Sequence, residues 1–225
     1  VNGVAKEYAE TATYEQVAKD CQKDYAHPIA LAVVNGKFRE LMHKIAPDAE
    51  VEFLTYGDSA GHKTYVRTAT MIMMKAMQDV MTTDKPDKVK VEFAIGKGYY
   101  ISVVSKHAVT DEVAARVQAR MQEIVDACIP VQKQSLPKDE AIALFEKHGM
   151  MDKVNLFRFR RGSSINVYSI EDYCDYYYGY MLPNTGYVSC FAVEAYEGGL
   201  ILNLPDRSHP EEITEFIPRE KLFHT

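Results

Sequence analysis

Apolar positions along the chain fall into short alternating or continuous runs, separated by stretches of helical spacing. Val1–Ala9 reads as a first strand with a turn at Asn2-Gly3. Thr13 is placed to cap a helix over Tyr14–Tyr25, with Val17 and Cys21 on its inner face. Ile29–Val34 is a continuous apolar strand stopped by Asn35-Gly36, and Val51–Leu54 is a short further strand. Tyr56–Lys63 is small and polar and reads as a linker. Thr64–Met81 follows as a helix, its methionines read as core filling. The chain breaks at Asp84–Asp87. Val89–Ala94 and Tyr99–Val104 form a hairpin around Gly96-Lys97-Gly98, which is not a nucleotide loop because no helix N-terminus follows it.

The pattern continues with a helix from Thr110 to Ala127, its first turn acidic at Asp111 and Glu112. Ile129–Gln134 reads as a strand, and Pro137 opens a helix that Gly149 stops after His148. Val154–Phe159 and Ile165–Ile170 read as one hairpin, Val188–Tyr196 and Leu200–Leu204 as another. The residues from Pro205 read as a polar tail. The expected organisation is α+β: a small unit over 1–55, a linker over 56–63, a larger unit with an antiparallel sheet over 64–204, and a tail or linker over 205–225.

Composition narrows the class. The chain has 225 residues, 47% of them hydrophobic, enough for one or two domains with real cores. A net charge of −6 disfavours non-specific nucleic-acid binding while leaving room for a local basic patch. No signal peptide or apolar run of membrane length is present, so no membrane partner is expected. The four cysteines are far apart and form no Cys-x-x-Cys pair, which suits reduced thiols and a cytoplasmic location. Val1, not Met, opens the chain, which reads as trimmed at its start.

The candidate chemistry centres on Ile170–Gly186, where Cys174 lies between Asp172 and Asp175 beside Tyr173, Tyr176, Tyr177, Tyr178 and Tyr180. A thiol used as ligand or nucleophile needs a second ligand or a base, usually His, and no His lies between His148 and His209. Cys174 is therefore a packed thiol or the remnant of a site. The tyrosines are core residues or a stacking platform. Arg158, Arg160 and Arg161 interleave with Phe157 and Phe159. Strand alternation would put Arg158 and Arg160 on one face, as an RNA-binding candidate patch.

The first 55 residues resemble a TGS domain, a β-grasp module of threonyl-tRNA synthetases, some GTPases and stringent-response enzymes. The resemblance is carried by Val1-Asn2-Gly3, the helix from Tyr14, Ala32-Val33-Val34-Asn35-Gly36, and Asp48 with Val51–Phe53. Lys63–Leu204 resembles the editing domain that follows TGS in threonyl-tRNA synthetases and occurs in alanyl enzymes. Its carriers are the Phe93–Tyr100 hairpin, Val109-Thr110-Asp111-Glu112, Pro130-Val131, Asp152-Lys153-Val154 and Pro183-Asn184-Thr185-Gly186. The resemblance implies a His-x-x-x-His and a Cys-x-x-x-His that together form a metal-type constellation. Here these positions fall on Arg67 and Met71, and on Cys174 and Tyr178, so one ligand-type residue of four remains and no metal is expected. It further implies that Lys153 and Asp172 are retained and could hold a small polar ligand.

The order of the two units also resembles the N-terminal half of bacterial uridine-kinase-like proteins (nucleoside kinases). Tyr65–Met71, the tyrosine-rich Asp172–Met181 and Phe216–Phe223 carry that likeness. It implies a fragment that does not end naturally at Thr225, with a covalently linked kinase domain as partner. ATP and Mg would belong to that absent domain, and the chain itself needs no cofactor. The expected function is a non-catalytic regulatory module binding a small molecule or RNA. The alternative is a trans-acting deacylase of mischarged tRNA that uses Cys174, Asp172 and Lys153. The oligomeric state is not legible.

Overall fold

The computed structural model describes residues 1–81, 88–95, 98–104 and 109–213. The break at 84–87, the turn residues Gly96 and Lys97, and the segment 216–223 lie outside the described residues.

Thr13 starts the first helix through a capping box with Gln16, each side chain bonding the other's backbone N–H, and α1 (Tyr14–Cys21) follows. A single turn of 3-10 helix extends it to Asp24. Tyr14, Val17, Ala18 and Cys21 pack onto β1 (Ile29–Val34) and β3 (Val51–Thr55). β1 also pairs with a strand not foreseen, β2 (Lys37–Arg39), across the Asn35-Gly36 turn. Both turn residues have positive φ, 48° and 73°, as a two-residue hairpin requires. The sheet order is β2-β1-β3, all antiparallel. The strand expected over Val1–Ala9 does not form. Asn2–Glu7 are exposed, so no face of them is buried to repay pairing, and one bond from the Asn2 N–H to the Val51 carbonyl (3.0 Å) ties the segment down.

The linker expected over 56–63 is also corrected. Tyr56 is buried, and α2 (Ser59–Val80) begins inside the supposed linker. The small residues there serve close packing. A Cβ on Gly61 would overlap the Thr55 carbonyl oxygen, so only glycine lets the helix lie against the end of β3. α2 is the central rod of the molecule. Tyr65, Ala69, Met71, Ile72, Met73, Ala76 and Met77 are buried around it, which bears out core filling for Met71, Met73 and Met77, while Met74 is partly buried against the same core.

On one side of α2 lies α3 (Asp111–Asp126), capped by the Thr110 hydroxyl. Beyond it β4 (Lys88–Ile95), β5 (Gly98–Val104), β9 (Ala192–Tyr196) and β10 (Gly199–Asn203) form an antiparallel sheet ordered β4-β5-β10-β9. A third sheet consists of β6 (Gln132–Pro137), β7 (Ser164–Ile170) and β8 (Tyr173–Tyr176), all antiparallel. Two helices, α4 (Lys138–Lys147) and α5 (Met151–Phe159), cover one of its faces.

The helix α5 replaces the strand expected over Val154–Phe159. Val154 and Phe157, three residues apart, are both buried, whereas Phe159, which strand alternation would have buried, is 88% exposed. The supposed basic hairpin face therefore does not exist. Arg158 sits on the helix, paired with Glu146 at 3.2 Å, and Arg160 lies just past its end. The whole is α+β with antiparallel sheets. Among the described residues no helix is long and apolar enough to cross a membrane.

Candidate functional site

Where the small first sheet meets the third, a cleft of about 730 Å³ opens. Phe38 of β2 forms one wall, packing edge-to-face on Tyr180 at 5.8 Å. The first three turns of α2 contribute Lys63 and Arg67. β6 brings Lys133, and the loop after α5 brings Arg160 and Arg161. The run that follows β8 brings Tyr177, Tyr178, Gly179 and Tyr180. Lys63, Arg67, Lys133, Lys138, Arg160 and Arg161 thus line one cleft, and among the described residues no carboxylate lines it.

These cations are held to different degrees. Lys138 spans the C-terminal end of α5, its ammonium donating to the carbonyls of Arg158 (3.3 Å) and Arg160 (3.1 Å). Arg160 donates to the Tyr176 hydroxyl and lies over the Phe157 and Tyr176 rings at 5.9 and 5.4 Å. Lys133 pairs with Glu40 at 2.7 Å. Arg67 differs: it is half-buried and has no carboxylate partner among the described residues. Burial pulls its pKa down, against the opposing pull of Tyr168 and Tyr180. Gly179, at φ 129°, makes its seat, since a Cβ there would overlap the guanidinium. A charge placed this way, without an acid, fits an anion.

Behind the cleft, Glu40 fastens the first sheet to the third. Its carboxylate accepts from the Tyr168 hydroxyl (2.6 Å), the Met181 N–H (3.0 Å), Lys133 (2.7 Å) and His43 (3.1 Å). Burial alone would raise its pKa. The bonds from His43, Lys133 and Tyr168 outweigh that and hold it below the ordinary range.

The structure separates the residues expected to share a site. Arg67 and Tyr178 line the cleft, and Tyr178 is 79% exposed there. Met71 is fully buried in the α2 core and does not line the cleft. Cys174 packs in the third-sheet core with Phe145, Phe157 and Val167; burial, then the Asp175 charge, raises its pKa, so it stays a thiol. Lys153 pairs with Asp175 at 3.4 Å, not with Asp172. Asp172 instead binds Lys75 at 2.7 Å, and that bond lowers its pKa. Lys153 and Asp172 therefore do not form the two ends of one ligand site. Of the arginine candidates, Arg160 and Arg161 reach the cleft and Arg158 does not.

The residues at the positions implied for a metal do not fit one. Arg67 repels a cation, Met71 is enclosed, and Tyr178 faces open water. Among the described residues no three His, Cys, Asp or Glu side chains stand together as metal ligands. Sequence reading missed Phe38, Lys63, Lys133 and Lys138. One signal was available: Lys63 and Arg67 are four apart, so a helix begun at Ser59 puts them on one face.

No protein-family model matches the chain. Its similarities are to part of the threonine–tRNA ligases. It is 28% identical over 200 residues to the enzyme of Syntrophotalea carbinolica, covering 88% of this chain and 31% of that protein. It is 31% identical over 188 residues to that of Hyphomonas neptunium, 82% of this chain and 28% of the relative. The ligase of Clostridium kluyveri is 33% identical over 157 residues, 69% of this chain and 24% of the relative. The chain thus spans 24–31% of the length of these relatives.

Proposed function

We propose that the chain is a tRNA-directed module of the threonyl-tRNA-synthetase editing type that binds RNA in the cleft without catalysing a reaction. The observation that carries this reading is the cleft itself, which among the described residues gathers six cations and no acid on a chain of net charge −6. Phosphate contacts supply most non-specific RNA affinity, and tyrosine faces add stacking. The four cysteines are unpaired, which supports a reducing, cytoplasmic setting.

A deacylase of mischarged tRNA is the second reading. The relatives are tRNA ligases, and that favours it over any kinase framing. Against it, Cys174, Asp172 and Lys153 do not converge, and among the described residues the cleft lining holds no imidazole or carboxylate to activate water. The TGS-like nature of the first unit and a uridine-kinase parent rest on sequence resemblance alone.

Filter or fluorescence titration with tRNA across a salt series tests the binding reading. Affinity should fall steeply with salt; no binding at low salt would end it. Incubation with mischarged tRNA tests the second: turnover above background would overturn the non-catalytic assignment.

A further inference from the structure

We infer that the edge of β9 beside α3 accepts an extended segment of a partner protein, one whose aliphatic and basic side chains alternate. The inference is independent of the cleft. In the sheet ordered β4-β5-β10-β9, β9 is an edge among the described residues. An antiparallel ladder bonds every second residue to the neighbouring strand and turns the next one outward. Val193 is of the outward kind, since its N–H donates to Oε1 of Gln118 on α3 at 2.8 Å. Ala195, two residues on, presents its N–H and carbonyl on the same side. The Gln118 carboxamide thus stands where the peptide group of a fifth strand would stand. Along this edge runs a groove of about 480 Å³ between β9 and α3, and its α3 wall is low because Ala115 and Ala119 line it. An unpaired edge with room beside it is a template for one more strand.

The side chains along the groove choose the occupant. Val193 and Ala195 lie opposite Leu202 and Leu200 and join the core beneath the sheet, whereas Glu194 lies opposite Ile201 and is exposed on the other face. A strand added to β9 therefore turns alternate residues toward the alanines of α3 and the residues between them toward Glu194. The first set meets apolar surface. The second meets acid: among the described residues Glu194 and Asp111 are the groove's only ionisable lining groups, and neither makes an ion pair there. Aliphatic residues alternating with lysine or arginine satisfy both. RNA does not, since its phosphates would meet those acids. Nor does β9 of a second copy, which would bring Glu194 to the face that already carries Glu194. β4 of a second copy has the alternation Lys88-Val89-Lys90-Val91, but joining it to β9 is a head-to-tail contact that builds open arrays unless a ring closes.

Fluorescence anisotropy of the full chain with the labelled peptide Val-Lys-Val-Lys-Val-Lys tests the inference. An antiparallel strand in this register points its valine N–H groups at β9 and its lysine N–H groups away. N-methylation of the valines should therefore weaken binding at least about tenfold, and N-methylation of the lysines should weaken it far less. Val-Glu-Val-Glu-Val-Glu should bind about tenfold weaker than the lysine peptide. Glu194→Lys should remove that preference. Glu10→Lys, the same charge change at an exposed position outside the groove, should keep it. Ala119→Trp should abolish binding by filling the groove. Glu194 and Ala119 are both exposed, so these variants are expected to fold. No binding of the lysine peptide, equal binding of the two methylated peptides, or a preference that survives Glu194→Lys overturns the inference. Sedimentation of the chain alone covers the other occupant: self-association that rises with concentration and is lost in Glu194→Lys would give the edge to β4 of a second copy and overturn the partner reading.

Discussion

The Glu40 carboxylate and the Tyr168 hydroxyl meet at 2.6 Å across 128 residues of sequence. Glu40 follows the outer strand of the first sheet, and Tyr168 sits in the middle strand of the third. Their bond, with those from Met181 and Lys133, makes one wall of the cleft a property of both sheets. Removing the acid leaves Lys133 and three further donors without their acceptor. Glu40→Ala is therefore expected to destabilise the fold by about 3–5 kcal/mol in urea unfolding, and Glu40→Gln by less, because the amide still accepts from Tyr168. A double-mutant cycle with Tyr168→Phe should show a coupling well above zero.

The two buried carboxylates should titrate with opposite effect on stability. Glu40 is held below the ordinary carboxyl range, so it binds its proton more weakly folded than unfolded. Its contribution is present above the unfolded value and lost as pH falls through the folded one. Asp175 is pushed up by burial, against Lys153, the Tyr176 N–H and the Tyr173 hydroxyl. It holds its proton more tightly folded, so stability falls as pH rises from the ordinary aspartate value through the raised one. Unfolding free energies from pH 3 to 7 should show the parent gaining on Glu40→Gln as the acid range is left, and losing ground to Asp175→Asn over the same climb.

What was legible in the sequence was local. Thr13 and Thr110 declare helix starts through their own hydroxyls, and Asn35-Gly36 declares its turn through φ. What failed depended on partners far along the chain. Residues 56–63 look like a linker because they are small and polar, yet their smallness is what lets α2 touch β3. Val154–Phe159 offers both a period of two and a spacing of three, and only α4 beside it decides for the helix. Lys153 pairs with Asp175 while Asp172 is taken by Lys75, an assignment that depends on where Lys75 arrives from α2. The cleft is legible least of all, since its cations come from α2, β6, α4 and the loop after α5.

Gly61 should tolerate no side chain. The overlap that a Cβ makes is with a backbone carbonyl, which cannot rotate away as a side chain can. Gly61→Ala is expected to cost about 1–3 kcal/mol, a drop in Tm of several degrees for a chain of this size. An unchanged Tm would mean that α2 does not press on β3 as described.

Cys174 should behave as a core residue. With excess thiol reagent in native buffer, exposed Cys128 should react first, and buried Cys21 and Cys174 only on unfolding. Cys174→Ala should lower stability by about 1 kcal/mol and leave RNA affinity unchanged. Rapid modification of Cys174 in the folded protein would return it to the list of candidate nucleophiles.

The arginines of the 158–161 run should separate by function. Arg161 lines the cleft and makes no ion pair among the described residues, whereas Arg158 lies outside the cleft and is already paired with Glu146. Each cation that meets a phosphate releases a counterion, so losing one lowers the slope of log affinity against log salt by about 0.7 for a single strand. Arg161→Gln should weaken tRNA binding and flatten that slope by about this amount. Arg158→Gln should leave both nearly unchanged, since an exposed ion pair contributes only about 0–1 kcal/mol to the fold and nothing to the cleft. The opposite ranking would place RNA on the outer face of α5, where Leu156 and Phe159 are exposed, and would empty the cleft of its proposed role.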